Sequence, residues 1–335
     1  MEMNSDTKGK GTLMLSVVFS FRNESSGLET LVKRVTDSLQ PLGIGFELIF
    51  VNDDSTDNSL DILMRLRETD KRIKIITMSR RFGVHPCVLA GMRHATGDAV
   101  VYMDSDLQDP PELIPKMIEK WKGGADVVNT VRTKRLGENP LRMWLTRRAY
   151  QVINAISDID LPVNMGDFKL LSRRTVNEIL RINEYDPFMR GLVRWVGFRQ
   201  ETILYTRDAR YAGTTHFSLF RSTGPTKEFL RGLTSFSAAP LYISLIYGFV
   251  ISLISFFYLI VVVIDKFLGN NLPGWTAIMA ATLFLGGNVL LTNGFLGLYI
   301  ARIYNQVKNR PLFIIRDTIG LSESDTDTAN CCEKK

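Results

Sequence analysis

The sequence predicts a mainly parallel α/β domain followed by two membrane-spanning helices. Two observations carry that prediction. Five short apolar runs alternate with amphipathic stretches over residues 15–131, and two later stretches, of 33 residues between Arg231 and Asp265 and 35 between Lys266 and Arg302, contain no charged residue. Strands buried on both faces read as unbroken Val/Ile/Leu runs, and strand–helix alternation implies right-handed crossovers. About 20 apolar residues cross a hydrocarbon core, so each uncharged stretch is long enough.

Taken in order, the polar stretch 1–13 is expected to be disordered, and the apolar run that follows stops at Arg22, which marks a strand and not a signal peptide. The strands are expected at Leu15 to Phe21, Phe46 to Val51, Ile73 to Met78, Ala99 to Met103 and Ala125 to Val131. The helices are expected near 28–40, 58–69, 86–95 and 112–122. The domain is expected to cover 14–212, an interfacial amphipathic segment 213–238, the spans 239–264 and 272–301, and a tail 302–335. Arg221, Lys227 and Arg231 precede the first span and Arg302, Lys308, Arg310 and Arg316 follow the second, whereas the intervening loop carries only Lys266. The positive-inside rule then puts both termini and the domain in the cytoplasm.

Composition narrows the function. The chain has 335 residues, 45% hydrophobic and 23% charged, which excludes global disorder. Three cysteines, Cys87, Cys331 and Cys332, cannot build a disulfide framework, and no C-x-x-C pair offers a zinc site. The net charge of +6 suits anionic lipid or a phosphorylated substrate; no nucleic-acid motif accompanies it, so no nucleic-acid partner is expected.

In open α/β sheets ligands bind outside the carboxyl ends of the strands. There the sequence collects Arg22-Asn23-Glu24, Asn52-Asp53-Asp54-Ser55, Ser79-Arg80-Arg81 and Asp104-Ser105-Asp106. The last is the strongest local signal. Two carboxylates at i and i+2 leaving a buried strand repel unless a cation lies between them, and a hard divalent cation held by one or two carboxylates and substrate phosphate oxygens fits. Asp109, before Pro110-Pro111, reads as a helix N-cap. Ser55 and Asp57 read as caps too, and His85 and His94 as structural residues.

Several segments together resemble glycosyltransferase family 2, in its membrane-anchored polyprenyl-phosphate branch. They are Val18 to Glu24, Phe50 to Asp57, Asp104 to Glu112, Gly166-Asp167-Phe168-Lys169-Leu170, Phe188-Met189-Arg190-Gly191, Arg210 to Phe217 and Lys308-Asn309-Arg310-Pro311. The resemblance implies an A-type glycosyltransferase fold, a nucleotide diphosphate sugar donor, a polyprenyl phosphate acceptor, Mg²⁺ or Mn²⁺, contact with membrane lipid and inversion at the anomeric carbon. By matched position it implies that Ser20, Arg22, Glu24, Asp53 and Ser105 line the nucleotide site. Asp104, Asp106 and Gln108 would serve the metal, Arg132, Arg210 and His216 phosphate or acceptor, and Asp167 a catalytic or acceptor-orienting role. Asp54 stands where the family usually has glycine and Ser20 where proline is frequent, so donor identity stays open. Self-association through the helices is a further expectation. A processive polysaccharide synthase and a scaffold without activity are the alternatives; two spans are too few for an export channel within one chain.

Overall fold

A computed structural model describes residues 13–135, 165–207, 239–268 and 274–321. The N-terminal stretch to residue 12, the basic segment around Arg142, the positions of Arg210 and His216, the interfacial segment to residue 238, and Cys331 and Cys332 lie outside the described residues.

Eight strands among the described residues form one sheet: β1 (Met14–Phe21), β2 (Gly45–Asn52), β3 (Ile73–Met78), β4 (Ala99–Asp104), β5 (Val127–Arg135), β6 (Met165–Ser172), β7 (Gln200–Arg207) and β8 (Ile315–Ile319). Their order is β7-β5-β6-β4-β1-β2-β3-β8. Strands β1 to β4 run parallel, β6 runs antiparallel to both β4 and β5, and β8 is antiparallel to β3. All five predicted strands are present. Seven of the eight residues of β1 are buried, as a strand covered on both faces requires.

Helices cover both faces. On one lie α1 (Leu28–Leu39), α2 (Ser59–Thr69) and α4 (Ile114–Lys122), which pack Leu31, Leu63 and Met117 against Phe19, Phe50 and Val101. On the other lie α3 (Val84–His94), α5 (Arg173–Arg181) and α6 (Met189–Trp195), with Leu89, Ile179 and Leu192 against Val18, Val100 and Tyr102. A Cβ on Gly91 would stand 2.3 Å from Val18 Cγ1, so glycine there lets α3 lie close on β1. The three-layer arrangement leaves the carboxyl ends of the parallel strands as an open rim.

Two long helices follow, α7 (Ala239–Phe267) and α8 (Trp275–Val307). At about 1.5 Å per residue both exceed a hydrocarbon core of about 30 Å. Both are long and apolar enough to cross a membrane, and no residue of either apolar window is buried in the protein. The core helix of a soluble domain would instead be mostly buried. Tyr247 Oη donates to Asn288 Oδ1 at 2.7 Å, a polar tie between the two.

The sequence-based boundaries treat 302–335 as one tail. The structure folds part of it into the domain: β8 pairs with β3 in the register Ile75↔Ile319 and Ile76↔Thr318, and Phe313 is buried against the α3 face.

Candidate active site

The rim is built by register. Ser20 on β1 lies opposite Asp104 on β4, and Phe21 opposite Asn52 on β2. Hydrogen bonds then tie the loops together: Ser105 Oγ donates to the Ser20 carbonyl at 3.1 Å and the Asp53 N–H to the Phe21 carbonyl at 3.0 Å. Ser20, Arg22, Glu24, Asp53, Asp104, Ser105, Asp106 and Gln108 are thus brought to one edge of the sheet.

Three non-glycine residues of these loops have a left-handed backbone: Asn23 at φ 57°, Asp54 at φ 57° and Leu107 at φ 59°. Asn and Asp tolerate that region because their short side chains hydrogen-bond locally. The Asn23 side chain instead bonds across to the neighbouring loop, accepting the Thr56 N–H at 2.8 Å and donating to the Thr56 hydroxyl at 3.2 Å. The left-handed conformation at Asp54 is one that glycine adopts freely and aspartate tolerates.

Asp53 does more than face the rim. Only 6% exposed, its carboxylate accepts the N–H groups of Phe82 at 2.6 Å and Gly83 at 3.1 Å, so it holds the loop between β3 and α3 from beneath. Asp57 accepts from the Ser59 N–H at 3.1 Å, close to the expected capping role, and from the Ser25 N–H at 3.3 Å. Burial opposes its ionised form, but those hydrogen bonds outweigh it and lower its pKa. The hydroxyl of Ser55 does not cap; it accepts from the Asn23 N–H at 3.1 Å.

Among the described residues, Arg22 Nε is buried without a hydrogen-bond partner. A guanidinium donor in that state at the carboxyl ends of the parallel strands suits an anionic ligand.

Asp104 and Asp106 are half-buried, with Asp106 Oδ1 accepting the Gln108 N–H at 3.2 Å. No group of three or more His, Cys, Asp or Glu side chains gathers around a point among the described residues. Two carboxylates from one loop leave most coordination positions to water and diphosphate oxygens, which fits Mg²⁺ or Mn²⁺ and not a closed protein cage.

Asp109 is not the cap that its place before two prolines suggests. It is fully buried, and no side chain caps the 3₁₀ turn that follows. Its carboxylate accepts from Tyr205 Oη and lies 3.5 Å from Arg132 Nη2, while Arg132 Nε donates to Tyr205 Oη at 2.9 Å. The reason is charge: with Arg132 buried on β5, an ionised partner must come from a neighbouring loop. Burial and the adjacent Asp109 push the Tyr205 phenol up to about 12. Arg132, expected at a phosphate, is only 7% exposed and supports the Asp104 to Asp109 loop through this triad. A Cβ on Gly166 would come within 3.3 Å of Arg132 Nη2, so glycine there makes room for the guanidinium.

Asp167, on β6, forms a two-point ion pair with Arg190 of α6, Nε to Oδ1 at 2.8 Å. Burial would push its carboxyl up, but Arg190 outweighs burial and, aided by His85 and Lys169, holds it far below the ordinary carboxylate range. Two residues on, Lys169 is fully buried, with the Met165 sulfur at 3.0 Å as the hydrogen-bond partner of its Nζ. It lies opposite Tyr102 of β4 and Asn129 of β5. Burial pulls its ammonium down to about 7, against the attraction of Asp167. His85 Nδ1 lies 2.9 Å from the Pro187 carbonyl, a structural contact that also steadies the approach to α6, and buried His94 bonds its own helix at Ala90.

Sequence reasoning missed Arg190 and Tyr205 as site residues. Arg190 had a signal in the Phe188 to Gly191 segment; Tyr205 had none, because its role exists only through the β5–β7 pairing.

The profile described as "Glycosyl transferase family 2" matches residues 16–180. The "Uncharacterized glycosyltransferase YkcC" of Bacillus subtilis (strain 168) is 40% identical over 310 residues, 92% of this chain and 95% of that protein. The "Uncharacterized glycosyltransferase sll0501" of Synechocystis sp. is 39% identical over 311 residues, 92% and 97% of the two chains. The "Bactoprenol glucosyl transferase" of Shigella phage SfII is 37% identical over 305 residues, 91% and 98%. With 37–40% identity over more than nine-tenths of its length, the chain is a glycosyltransferase and belongs to glycosyltransferase family 2.

Proposed function

We propose that this enzyme transfers one sugar from a nucleotide diphosphate sugar to polyprenyl phosphate at the cytoplasmic face of a membrane, inverting the anomeric carbon. The observation that carries the reading is the rim: the Asp104 and Asp106 carboxylates beside Ser20 and Arg22, on a domain joined to two span-length helices. The bactoprenol glucosyl transferase likeness supports the acceptor class, and the cationic flanks of the spans support the orientation.

The donor's nucleotide lies over the loops of Ser20 to Glu24 and Asp53, and its diphosphate over Asp104 and Asp106, with the unpartnered Arg22 Nε as an additional donor. Mg²⁺ or Mn²⁺, when bound by Asp104 and Asp106 with Gln108 nearby, neutralises charge that builds on the departing diphosphate. An oxygen of the acceptor phosphate forms the new bond to the anomeric carbon as the bond to the diphosphate breaks. That phosphate is already ionised near neutral pH, so no strong base is needed; the demand is to hold two like-charged groups together. Asp167, kept ionised and oriented by Arg190, orients the acceptor side, and Arg210 and His216 supply cationic contacts to phosphate.

The test is detergent-purified enzyme with Mg²⁺ or Mn²⁺, polyprenyl phosphate and a panel of UDP- and GDP-sugars, read by mass spectrometry. The expected product is a lipid phosphate carrying a single sugar. Donor hydrolysis or polymer without lipid product would refute the acceptor assignment.

A further inference from the structure

The end of α8 grips the domain at the segment between α5 and α6 that leads to Arg190, the partner of Asp167. Arg302 and Gln306 fall at i and i+4 on one face of the helix, and Asn309 follows just past its end, where the backbone is left-handed at φ 44°. Gln306 binds the backbone of the segment between α5 and α6 at two points: its Oε1 accepts the Tyr185 N–H at 2.8 Å and its Nε2 donates to the Asn183 carbonyl at 2.6 Å. Asn183 Nδ2 donates to Asn309 Oδ1 at 2.9 Å. Arg302 faces Glu184 of the same segment and partly offsets the upward push that burial gives the Glu184 carboxyl.

The gripped segment continues directly to the site. Its Pro187 carbonyl meets His85, and α6 then delivers Arg190 to Asp167. A second tie lies on the far side of α3: the Ser79 N–H donates to the Ile314 carbonyl at 2.9 Å, where the chain turns from α8 into β8. The second candidate span is thus attached to the domain through two loops, and one of them leads into α6, which carries the arginine that holds Asp167.

We infer that Gln306, supported by Asn309, is a positioning residue that sets the height and orientation of the Asp167–Arg190 rim above the membrane, in register with an acceptor phosphate held at the bilayer surface. The inference rests on the proposed reaction. One carboxamide supplies one donor and one acceptor in fixed geometry, matching a backbone C=O and N–H two residues apart, which neither a carboxylate nor an aliphatic side chain can do. A membrane-anchored acceptor cannot adjust its depth freely, so a small displacement of the rim is costly for it, whereas a soluble acceptor diffuses to the rim wherever it stands.

The experiment uses the full chain in nanodiscs, a saturating donor sugar, and two acceptors: a long polyprenyl phosphate embedded in the bilayer and a short water-soluble prenyl phosphate. For Gln306→Leu and Gln306→Glu, kcat/KM for the long acceptor is expected to fall about tenfold, while the short acceptor changes by under about twofold and the KM of the donor stays unchanged. Asn309→Ala, which removes one hydrogen bond from an exposed pair, gives a smaller loss with the same selectivity. Equal losses on both acceptors, or no loss in the Gln306→Leu/Asn309→Ala double variant, would overturn the positioning role. Wild-type enzyme inactive on both acceptors would instead refute the reaction itself.

Discussion

At the scale of single residues, the site divides into side chains that face a ligand and side chains that hold them. In the proposed reaction Asp104 and Asp106 belong to the first group, so Asp104→Asn and Asp106→Asn are expected to lower metal-dependent transfer about 100-fold or more while the melting temperature is retained. Full activity in either variant would remove the metal assignment. Lys169 belongs to the second. Its folded pKa, about 7, lies below the ordinary lysine value. Between about 7 and about 10.4 the unfolded chain therefore carries a proton that the folded chain lacks, and stability rises with pH across that window. Thermal melting from pH 6.5 to 9.5 should show this rise in the wild type and a flatter profile, with higher stability at the acid end, in Lys169→Met. At Asp54, Ala is expected to destabilise by about 1 kcal/mol and Gly not at all, read by chemical denaturation, because only the left-handed backbone there distinguishes them.

At the scale of elements, the strands and long helices were legible because their signals are local. Leu15 to Phe21 is an apolar run whatever surrounds it, and an uncharged stretch as long as 232–264 has few fates outside a bilayer. Asp104 and Asp106 were legible for the same reason, as two carboxylates on one short loop. What the sequence hid depends on pairing between distant segments. Asp109 beside prolines looks like a cap, and only the burial of Arg132 on β5 and the pairing of β5 with β7 turn it into an ion-pair partner. Strand β8 is short, carries Arg316 and Asp317, and gains its place only when β3 offers an edge. The triad gives an element-scale prediction: Tyr205→Phe leaves the buried Asp109 carboxylate short of a donor and is expected to cost about 1–3 kcal/mol in denaturant unfolding. Its effect on transfer should follow from loosening of the 104–109 loop, seen as a raised metal requirement.

At the scale of the whole molecule, a basic chain with a net charge of +6 carries two long helices whose exposed surface is apolar. The proposed orientation predicts the labelling of cysteine probes in sealed inside-out and right-side-out vesicles. A probe at Leu268, just after α7, should react from the outside only, and one at Lys116 of α4 from the cytoplasmic side only. The reverse pattern would place the site on the other face, away from a cytoplasmic donor sugar.

The pairing of β8 with β3 also bears on how the protein is made. The strand that closes one edge of the sheet follows both long helices in the chain, so during synthesis it emerges after the membrane segments have left the ribosome. Until then β3 presents an open row of backbone donors and acceptors to its surroundings. Completion of the catalytic sheet is therefore timed after both long helices: the strand that seals its edge is the last element of the fold to be made.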